Sequence, residues 1–331
     1  MRVAFDSRAI PAANGVGRYS RCLLKALGET VSGEDQLLAS ARPSATVRAG
    51  SADIFHAPWM DGAMLHSPCP MVVTVHDVIA PKRRSEHLRA GLRLRMRHLA
   101  LQRAVSVIVP SHAVAADAVE HHGLEPERIV VIPEAADSSM YRRSEREIEA
   151  ARFDFGLPER YLVWVGDLQH PAPGRQIARL AAASRELPLV LVGPTRPWAH
   201  ELHDVTLTGR VSDDQLAAIY SGAHALLAPG EDVGFGLSAV EALACGTPVV
   251  ACDAPALREA LDGRATFVEP GDIDGLIAAA EAAHGEVPDP PAWSWRDAAL
   301  ATWRTYERSR AAVMVPRSGR RSPRRRPATE A

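Results

Sequence analysis

The sequence predicts an α/β protein built from two doubly wound parallel sheets. Short apolar runs of four or five residues, rich in β-branched side chains, alternate along the chain with stretches of helical periodicity. These runs are apolar throughout, as expected for strands that helices cover on both faces. The pattern restarts in the second half, and a length of 331 residues suits about two domains.

The first half alternates five predicted strands with three predicted helices. The strands are Val3–Phe5, Asp53–His56, Met71–Val75, Val105–Val109 and Ile129–Ile132, and the helices cover 17–28, 86–103 and 112–122. This alternation predicts a Rossmann-like domain over residues 1–155. In such sheets, ligands bind at the carboxyl ends of the strands.

The second half repeats the alternation after a junction near 142–158 and predicts a second Rossmann-like domain over residues 156–292. Its strands are Tyr161–Val165, Leu189–Val192, Val205–Leu207, Ala225–Ala228, Thr247–Ala251 and Thr266–Val268. Its helices cover 175–186, 212–222, 236–245 and 272–284. Two such domains should face each other across a cleft.

A last helix, over residues 293–313, carries three tryptophans and Tyr306. This apolar surface could pack on the helix's own domain or cross back to brace the first. Residues 314–331 are rich in Arg and Pro and poor in apolar side chains, a composition that predicts a disordered basic tail.

Composition restricts the class of protein. The net charge is −2, yet residues 1–155 hold 20 basic and 18 acidic side chains, whereas residues 156–316 hold 12 and 21. No stretch reaches the roughly 20 apolar residues of a membrane-spanning helix, and the N-terminus has no secretory pattern. The spacing of the four cysteines fits neither a disulfide framework nor a zinc site, so we expect a cytoplasmic protein.

The strongest local signal is a glycine-rich loop between a predicted strand and a predicted helix. Residues 229–236 read PGEDVGFG, and Glu241 lies about one and a half turns into the helix that follows. Glycines let a ligand approach the backbone, and the free N–H groups of a helix start attract phosphate. The Glu241 carboxylate could accept hydrogen bonds from the two hydroxyls of a ribose.

Residues 229–251 resemble the donor-binding motif of the retaining family 4 glycosyltransferases of the GT-B fold, most closely bacterial mannosyltransferases that use GDP-mannose. Their motif has a Gly-Phe-Gly-Leu core between two glutamates, followed by Ala-Cys-Gly-Thr-Pro-Val-Val. The resemblance extends over most of the chain. Further similar segments are 14–19 (NGVGRY), 74–77 (TVHD), 108–111 (IVPS), 130–137 (VVIPEAAD), 163–166 (VWVG), 209–216 (GRVSDDQL) and 293–295 (WSW).

The resemblance implies the GT-B fold, with the last helix crossing back to the first domain. It also implies transfer of a hexose, probably mannose in such relatives, from a nucleoside-diphosphate sugar to a glycan or lipid-linked acceptor, with neither metal nor cofactor. His76 and a carboxylate at Glu231 or Asp232 would then contact the donor sugar. The implied donor-binding residues are Gly15, Gly17, Arg18, Gly166, Arg175, Arg210, Gly234, Phe235, Gly236, Leu237 and Glu241.

Three positions depart from the family pattern. Val233 occupies the position of the first motif glutamate, although a one-residue bulge would bring Asp232 there; Ser238 replaces a proline. Pro171 and Ala172 stand where the family has the Arg-Lys pair that holds the diphosphate, which leaves Arg18 and Arg175 as substitutes. These departures keep a second hypothesis open, a nucleotide-sugar-binding or partner-binding module without turnover.

The segment 82–98 is strongly basic, and Leu88, Leu92, Met96 and Leu99 recur in it at helical spacing. It is either a solvated surface helix or a peripheral contact with an anionic membrane or lipid-phosphate acceptor. No base-reading module is recognisable, so we expect no specific nucleic-acid partner. Asp272 and Asp274 resemble a metal-binding Asp-x-Asp, but their position at a predicted helix start favours a helix cap.

Overall fold

The computed structural model describes residues 1–12, 14–48, 51–78, 84–169 and 171–314. It contains two six-stranded parallel sheets, one in each half of the chain. The predicted tail falls outside the described residues, apart from its first residue, Met314, where the last helix ends.

The first sheet has the strand order β2-β1-β3-β4-β5-β6 and the second has the order β12-β11-β10-β7-β8-β9. The strands of the first sheet are β1 (Arg2–Asp6), β2 (Gln36–Ser40), β3 (Ile54–Ala57), β4 (Met71–Thr74), β5 (Ser106–Val109) and β6 (Ile129–Val131). The strands of the second are β7 (Leu162–Val165), β8 (Leu189–Val192), β9 (Val205–Gly209), β10 (Ala225–Ala228), β11 (Val249–Cys252) and β12 (Thr266–Val268).

The helices of the first domain and the junction are α1 (Gly15–Glu29), α2 (Pro43–Arg48), α3 (Arg84–Leu101), α4 (His112–His122) and α5 (Glu145–Phe155). Those that follow are α6 (Pro171–Ala182), α7 (Asp213–Gly222), α8 (Leu237–Ala244), α9 (Pro255–Leu261), α10 (Ile273–Glu281) and α11 (Trp295–Met314). The two sheets with their covering helices confirm the predicted α/β class, with two Rossmann-like domains.

All eleven predicted strands are present, and the structure adds β2. Its sequence, QLLAS, lacks a buried apolar run because β2 is an edge strand and none of its residues is fully buried. Helices α5 and α9 were also absent from the prediction. A capping box between Ser144 and Glu147 marks the start of α5, and Pro255 marks the start of α9.

The last helix crosses back to the first domain, which confirms the GT-B arrangement. Trp295, Trp303 and Tyr306 join the apolar core formed by β1 and α1. The Tyr306 hydroxyl lies 2.6 Å from Nδ1 of the buried His56, and the indole N–H of Trp303 donates to Thr30 Oγ1 at 3.2 Å. The helix therefore braces the first domain while its connection runs from the second.

Candidate active site between the domains

The carboxyl ends of β1, β7, β8 and β10 lead into loops that face each other across the cleft. A cavity of about 160 Å³ lies between them. Its lining includes, from the first domain, Asn14, Gly15, Arg18 and Arg21 and, from the second, Gly166, Gly193, Arg210, Asp213 and Glu241. The structure thus brings several residues of the predicted donor site together at one place.

The glycine-rich loop of the first domain ends in the cap of α1. The Asn14 side chain accepts a hydrogen bond from Gly17 N at 3.0 Å, an N-cap that fixes where the helix begins. A Cβ atom on Gly17 would lie 2.0 Å from the Ala12 carbonyl oxygen, so the turn requires glycine there. At Gly15 a Cβ would meet nothing within 4 Å, which leaves this backbone open to the cleft.

Arg18 and Glu241, predicted separately, form one ion pair across the cleft. The Arg18 guanidinium contacts the Glu241 carboxylate through Nε and donates to Asp213 Oδ1 at 2.8 Å. Arg18 is 8% exposed and Glu241 2%. The pair links α1 of the first domain to the start of α7 and the middle of α8 in the second.

Burial and charge act against each other in this pair. Burial raises the pKa of Glu241 to about 7, although Arg18 counteracts the rise. Burial lowers the pKa of Arg18, but the carboxylates of Glu241 and Asp213 raise it more, so it ends above its ordinary value. Arg18 therefore stays cationic. A ligand that takes hydrogen bonds from Glu241 must share this carboxylate with Arg18 or displace it.

The glycine loop of the second domain, residues 230–236, connects β10 to α8. Gly236 has φ of 88° and is the N-cap of α8, which begins at Leu237. A Cβ on Gly234 would lie 1.6 Å from the His76 carbonyl oxygen, so the loop touches the end of β4 in the first domain. Phe235 is buried, and its ring centroid lies 5.4 Å from that of Trp293. The loop is thus packed between both domains.

The two carboxylates of this loop line the neighbouring cavities. Glu231 and Asp232 border cavities of about 210 and 170 Å³ on either side of the loop. Glu231 is exposed and accepts a hydrogen bond from Gln176 Nε2 at 3.2 Å. Val233 packs against the core of the second domain. Both carboxylates are therefore placed within the cleft region, and their proposed contact with a sugar stays a prediction.

His76 uses both ring nitrogens within the protein. Nδ1 lies 3.2 Å from Glu134 Oε1 and Nε2 lies 2.9 Å from the Pro58 carbonyl oxygen. Burial lowers the pKa of His76, but Glu134 and the other acceptors raise it more, so it lies above its ordinary value. The Tyr19 ring packs edge-on against the imidazole. In this geometry His76 is an oriented cation at the base of the cleft.

The remaining predicted cations lie farther out. Arg210 is exposed, and its Nη1 donates to the Pro11 carbonyl oxygen of the first domain at 3.4 Å. Arg175 is exposed on α6, and it is not among the residues that line the cavity beside Glu241. Position 171 begins α6, whereas the side chains of Pro171 and Ala172 fall outside the described set.

Sequence reasoning missed three residues that organise the site. Asp213 binds Arg18, Glu134 orients His76, and Ser111 donates to the Gly234 carbonyl oxygen at 2.9 Å. Asp213 follows the N-cap Ser212, and Ser111 is itself the N-cap of α4. Cap positions are visible in a sequence, but the partner across the cleft is not, because it comes from the other domain.

Two predicted surface features lie away from this cleft. The apolar row on α3 faces solvent, with Leu92 75%, Met96 41% and Leu99 52% exposed, and Arg97 pairs with Asp61. The side chains of Arg89 and Arg93 lie outside the described set. Asp272 caps α10 by accepting from Gly275 N at 2.8 Å, as the cap interpretation predicted. Among described residues, no group of three His, Cys, Asp or Glu side chains could hold a metal ion. None of the described helices is long and apolar enough to span a bilayer.

Comparison with known proteins matches both halves of the chain to sequence families. Residues 34–139 match the family described as Glycosyltransferase Family 4, and residues 159–285 match Glycosyl transferases group 1. A protein named MMP alpha-(1->4)-mannosyltransferase, from Mycolicibacterium hassiacum, is 30% identical; the match covers 74% of this chain and 66% of the relative. D-inositol 3-phosphate glycosyltransferase of Gordonia bronchialis is 28% identical, with 69% and 57% covered. The chain therefore spans less than two thirds of these relatives.

Solved structures share the fold at low sequence identity. Sucrose-phosphate synthase from Thermosynechococcus elongatus superposes with a TM-score of 0.72 at 19% identity, covering 94% of this chain and 100% of the other. HepE of Anabaena, solved in complex with UDP and glucose, superposes with a TM-score of 0.61 at 18% identity, covering 95% and 98%.

Proposed function

This chain belongs to the family 4 glycosyltransferases of the GT-B fold, and from that premise we propose that it transfers a hexose from a nucleoside-diphosphate sugar. We propose mannose as the hexose and a glycan or lipid-linked hydroxyl as the acceptor, with retention of the anomeric configuration and without a metal. Support for mannose comes from the relative that is named a mannosyltransferase. Support for a nucleotide donor comes from the structure of HepE with UDP and glucose.

The observation that carries the proposal is the buried Glu241 carboxylate, held by Arg18 at the cavity between the two glycine-rich loops. A carboxylate so placed can accept hydrogen bonds from the ribose hydroxyls. The N–H groups at the start of α8 and the cationic Arg18 can stabilise the diphosphate, where negative charge develops as it leaves.

The proposed reaction exchanges one bond to the anomeric carbon for another. The bond between this carbon and the diphosphate oxygen breaks, and the diphosphate leaves with the electron pair. The acceptor oxygen forms its bond to the same face of the sugar, and its proton passes to the departing diphosphate. The carboxylates of Glu231 and Asp232 would orient the sugar hydroxyls, and the His76 cation would stabilise charge beside them.

The second candidate is a module that binds the nucleotide sugar without turnover. The observation that favours it is Val233, whose apolar side chain packs on the core where the family places a glutamate. Such a module would keep donor affinity, because the Arg18–Glu241 pair is intact, but it would lack part of the sugar contact.

Donor hydrolysis and transfer distinguish the two candidates. We expect the wild-type chain to release GDP from GDP-mannose and to do so faster when sugar or lipid-linked acceptors are added. Glu241→Gln, which keeps the shape and removes the charge, should lower kcat/KM by about tenfold to a hundredfold. The matched control is Glu286→Gln, an exposed glutamate outside the cleft. Tight binding without any release of GDP would favour the module, and binding of neither GDP-, UDP- nor ADP-sugars would refute both.

We also propose that the exposed row of α3 brings the protein to an anionic membrane surface that carries the acceptor. Exposed Leu92 and Leu99 could enter the interface beside basic side chains. Sedimentation with anionic vesicles should fall as salt is raised, and the double substitution Leu92→Ser with Leu99→Ser should weaken it. Sedimentation indifferent to both would rule out this contact.

A further inference from the structure

The two domains also meet where helix α4 begins. The Glu259 carboxylate, on α9 of the second domain, accepts hydrogen bonds from the first turn of α4 in the first domain. Its Oε1 lies 2.8 Å from His112 N and 2.9 Å from His112 Nδ1, and its Oε2 lies 3.1 Å from Ala113 N. The N–H groups of a first turn have no acceptor within their own helix. A residue of one domain therefore completes a helix of the other.

The same turn of α4 binds the glycine loop. Ser111 is 1% exposed, and its Oγ accepts from Val114 N at 3.2 Å as the helix cap. The hydroxyl proton is then directed to the Gly234 carbonyl oxygen, 2.9 Å away. One serine thus satisfies its own helix and anchors the loop of the opposite domain.

The glycine loop is held at two places that come from different domains. Gln176, within the second domain, donates to the Pro229 carbonyl oxygen and to Glu231 Oε1, both at 3.2 Å. Gly234 is held by Ser111 and lies against the His76 carbonyl oxygen, both in the first domain. The backbone that carries Glu231 and Asp232 lies between these two anchors, so its geometry depends on contact between the domains.

We propose that Ser111 and Glu259 are positioning residues that fix the glycine loop from across the cleft. The inference rests on the proposed function, in which Glu231 and Asp232 face the donor sugar. Glu259 keeps the start of α4 against the second domain, and Ser111 then holds Gly234. Separation of the domains removes the second anchor, so both carboxylates lose their orientation toward the sugar. Nucleotide affinity should change little, because Glu241 and the start of α8 do not depend on these two contacts.

A purely local role predicts something different. If Ser111 and Glu259 only cap α4, their loss should loosen the first turn of that helix and leave the glycine loop unchanged. The positioning role requires that loss of Glu259, which does not contact the loop through any of the three hydrogen bonds above, still loosens residues 230–236.

Hydrogen–deuterium exchange on the full chain without ligand separates the two roles. Glu259→Ala and Ser111→Ala should each speed exchange in residues 111–114 and, by about tenfold, in residues 230–236. The matched control is Glu281→Ala. Glu281 also accepts from a backbone N–H, that of Leu187 at 3.0 Å, but within the second domain. Its loss should speed exchange only near 186–187. Unchanged exchange of 230–236 in Glu259→Ala would overturn the proposal.

Kinetics supply a readout that a cap does not move. With GDP-mannose as the probe, Ser111→Ala should lower kcat about tenfold and leave the Kd for GDP within about twofold of the wild type. A parallel loss of GDP affinity and kcat would contradict positioning. If the wild-type chain binds no nucleotide, the proposed function fails, while the exchange experiment still decides whether the loop is held from across the cleft.

Discussion

The domains are joined by two bridges of opposite physical character. The inner bridge is the ion pair of Arg18 and Glu241, both almost fully buried. The outer bridge is the Glu259 carboxylate, partly exposed, which accepts from the start of α4. A buried charge is costly to leave unpaired, whereas an exposed carboxylate can exchange its partners for water. The inner bridge should therefore set whether the cleft is assembled at all, and the outer bridge how closely it shuts.

The largest effect should come from removing one partner of the inner bridge. Arg18→Met keeps much of the side-chain volume but leaves Glu241 buried without its cation, which should cost about 3–5 kcal/mol of unfolding free energy. Chemical denaturation measures this. Arg18→Met combined with Glu241→Leu should recover part of the loss. The control is the exposed pair of Arg258 and Asp253, where Arg258→Met should cost less than about 1 kcal/mol. Equal costs at both pairs would remove the distinction.

Gly234→Ala should come next, because its Cβ would overlap the His76 carbonyl oxygen. The loop or the domains must shift, so we expect a loss of roughly 1–3 kcal/mol together with most of the turnover of GDP-mannose. Thermal unfolding and the hydrolysis assay measure the two losses. Gly28→Ala, where a Cβ meets nothing within 4 Å, is the control and should not lower stability. Wild-type behaviour of Gly234→Ala would mean that this loop does not dock on the first domain.

The two bridges should respond to pH in opposite directions. Burial raises the pKa of Glu241 to about 7, so its contribution is present below the unfolded pKa of about 4.5 and is lost as pH rises through about 7. Burial also acts to raise the pKa of Glu259, but the donors of His112 and Ala113 lower it more. Its contribution is therefore present above about 4.5 and is lost as pH falls through the lowered value.

Stability measured from pH 3 to pH 8 can separate these contributions. Glu241→Gln should flatten the decline between about pH 4.5 and 7, and Glu259→Gln should flatten the acid limb below about pH 4.5. Urea denaturation at half-unit pH steps gives both slopes. Flattening of the same limb by both substitutions would contradict the assignment of the two carboxylates.

The smallest effect should come from the exposed side of the outer bridge. His112→Ala removes the imidazole donor, whose side chain is 82% exposed, but keeps both backbone N–H groups that bind Glu259. We expect less than about 1 kcal/mol and nearly unchanged kcat. A loss as large as that of Glu259→Ala would place the strength of the bridge in the imidazole instead of the backbone.

The sequence was a good guide wherever the physical signal is local. Buried strands such as Leu189–Val192 are continuous apolar runs, and Asp272 sits at a helix start where a cap is favoured. The edge strand Gln36–Ser40 carries no such run because solvent reaches it. Arg18 and Glu241 were both predicted, but not their pairing, since 222 intervening residues separate two groups that only the domain arrangement brings together. The same reason hid the roles of Ser111, Glu134 and Glu259.

The central claim is that the cavity beside Arg18 and Glu241 holds a nucleoside-diphosphate sugar. Isothermal titration of the wild-type chain and of Glu241→Gln with GDP-mannose tests it most directly. Saturable one-to-one binding is predicted, weakened about tenfold or more by the substitution and unchanged in the Glu286→Gln control. Equal affinity of the wild-type chain and Glu241→Gln, or no binding of GDP-, UDP- or ADP-sugars to the wild type, would contradict it.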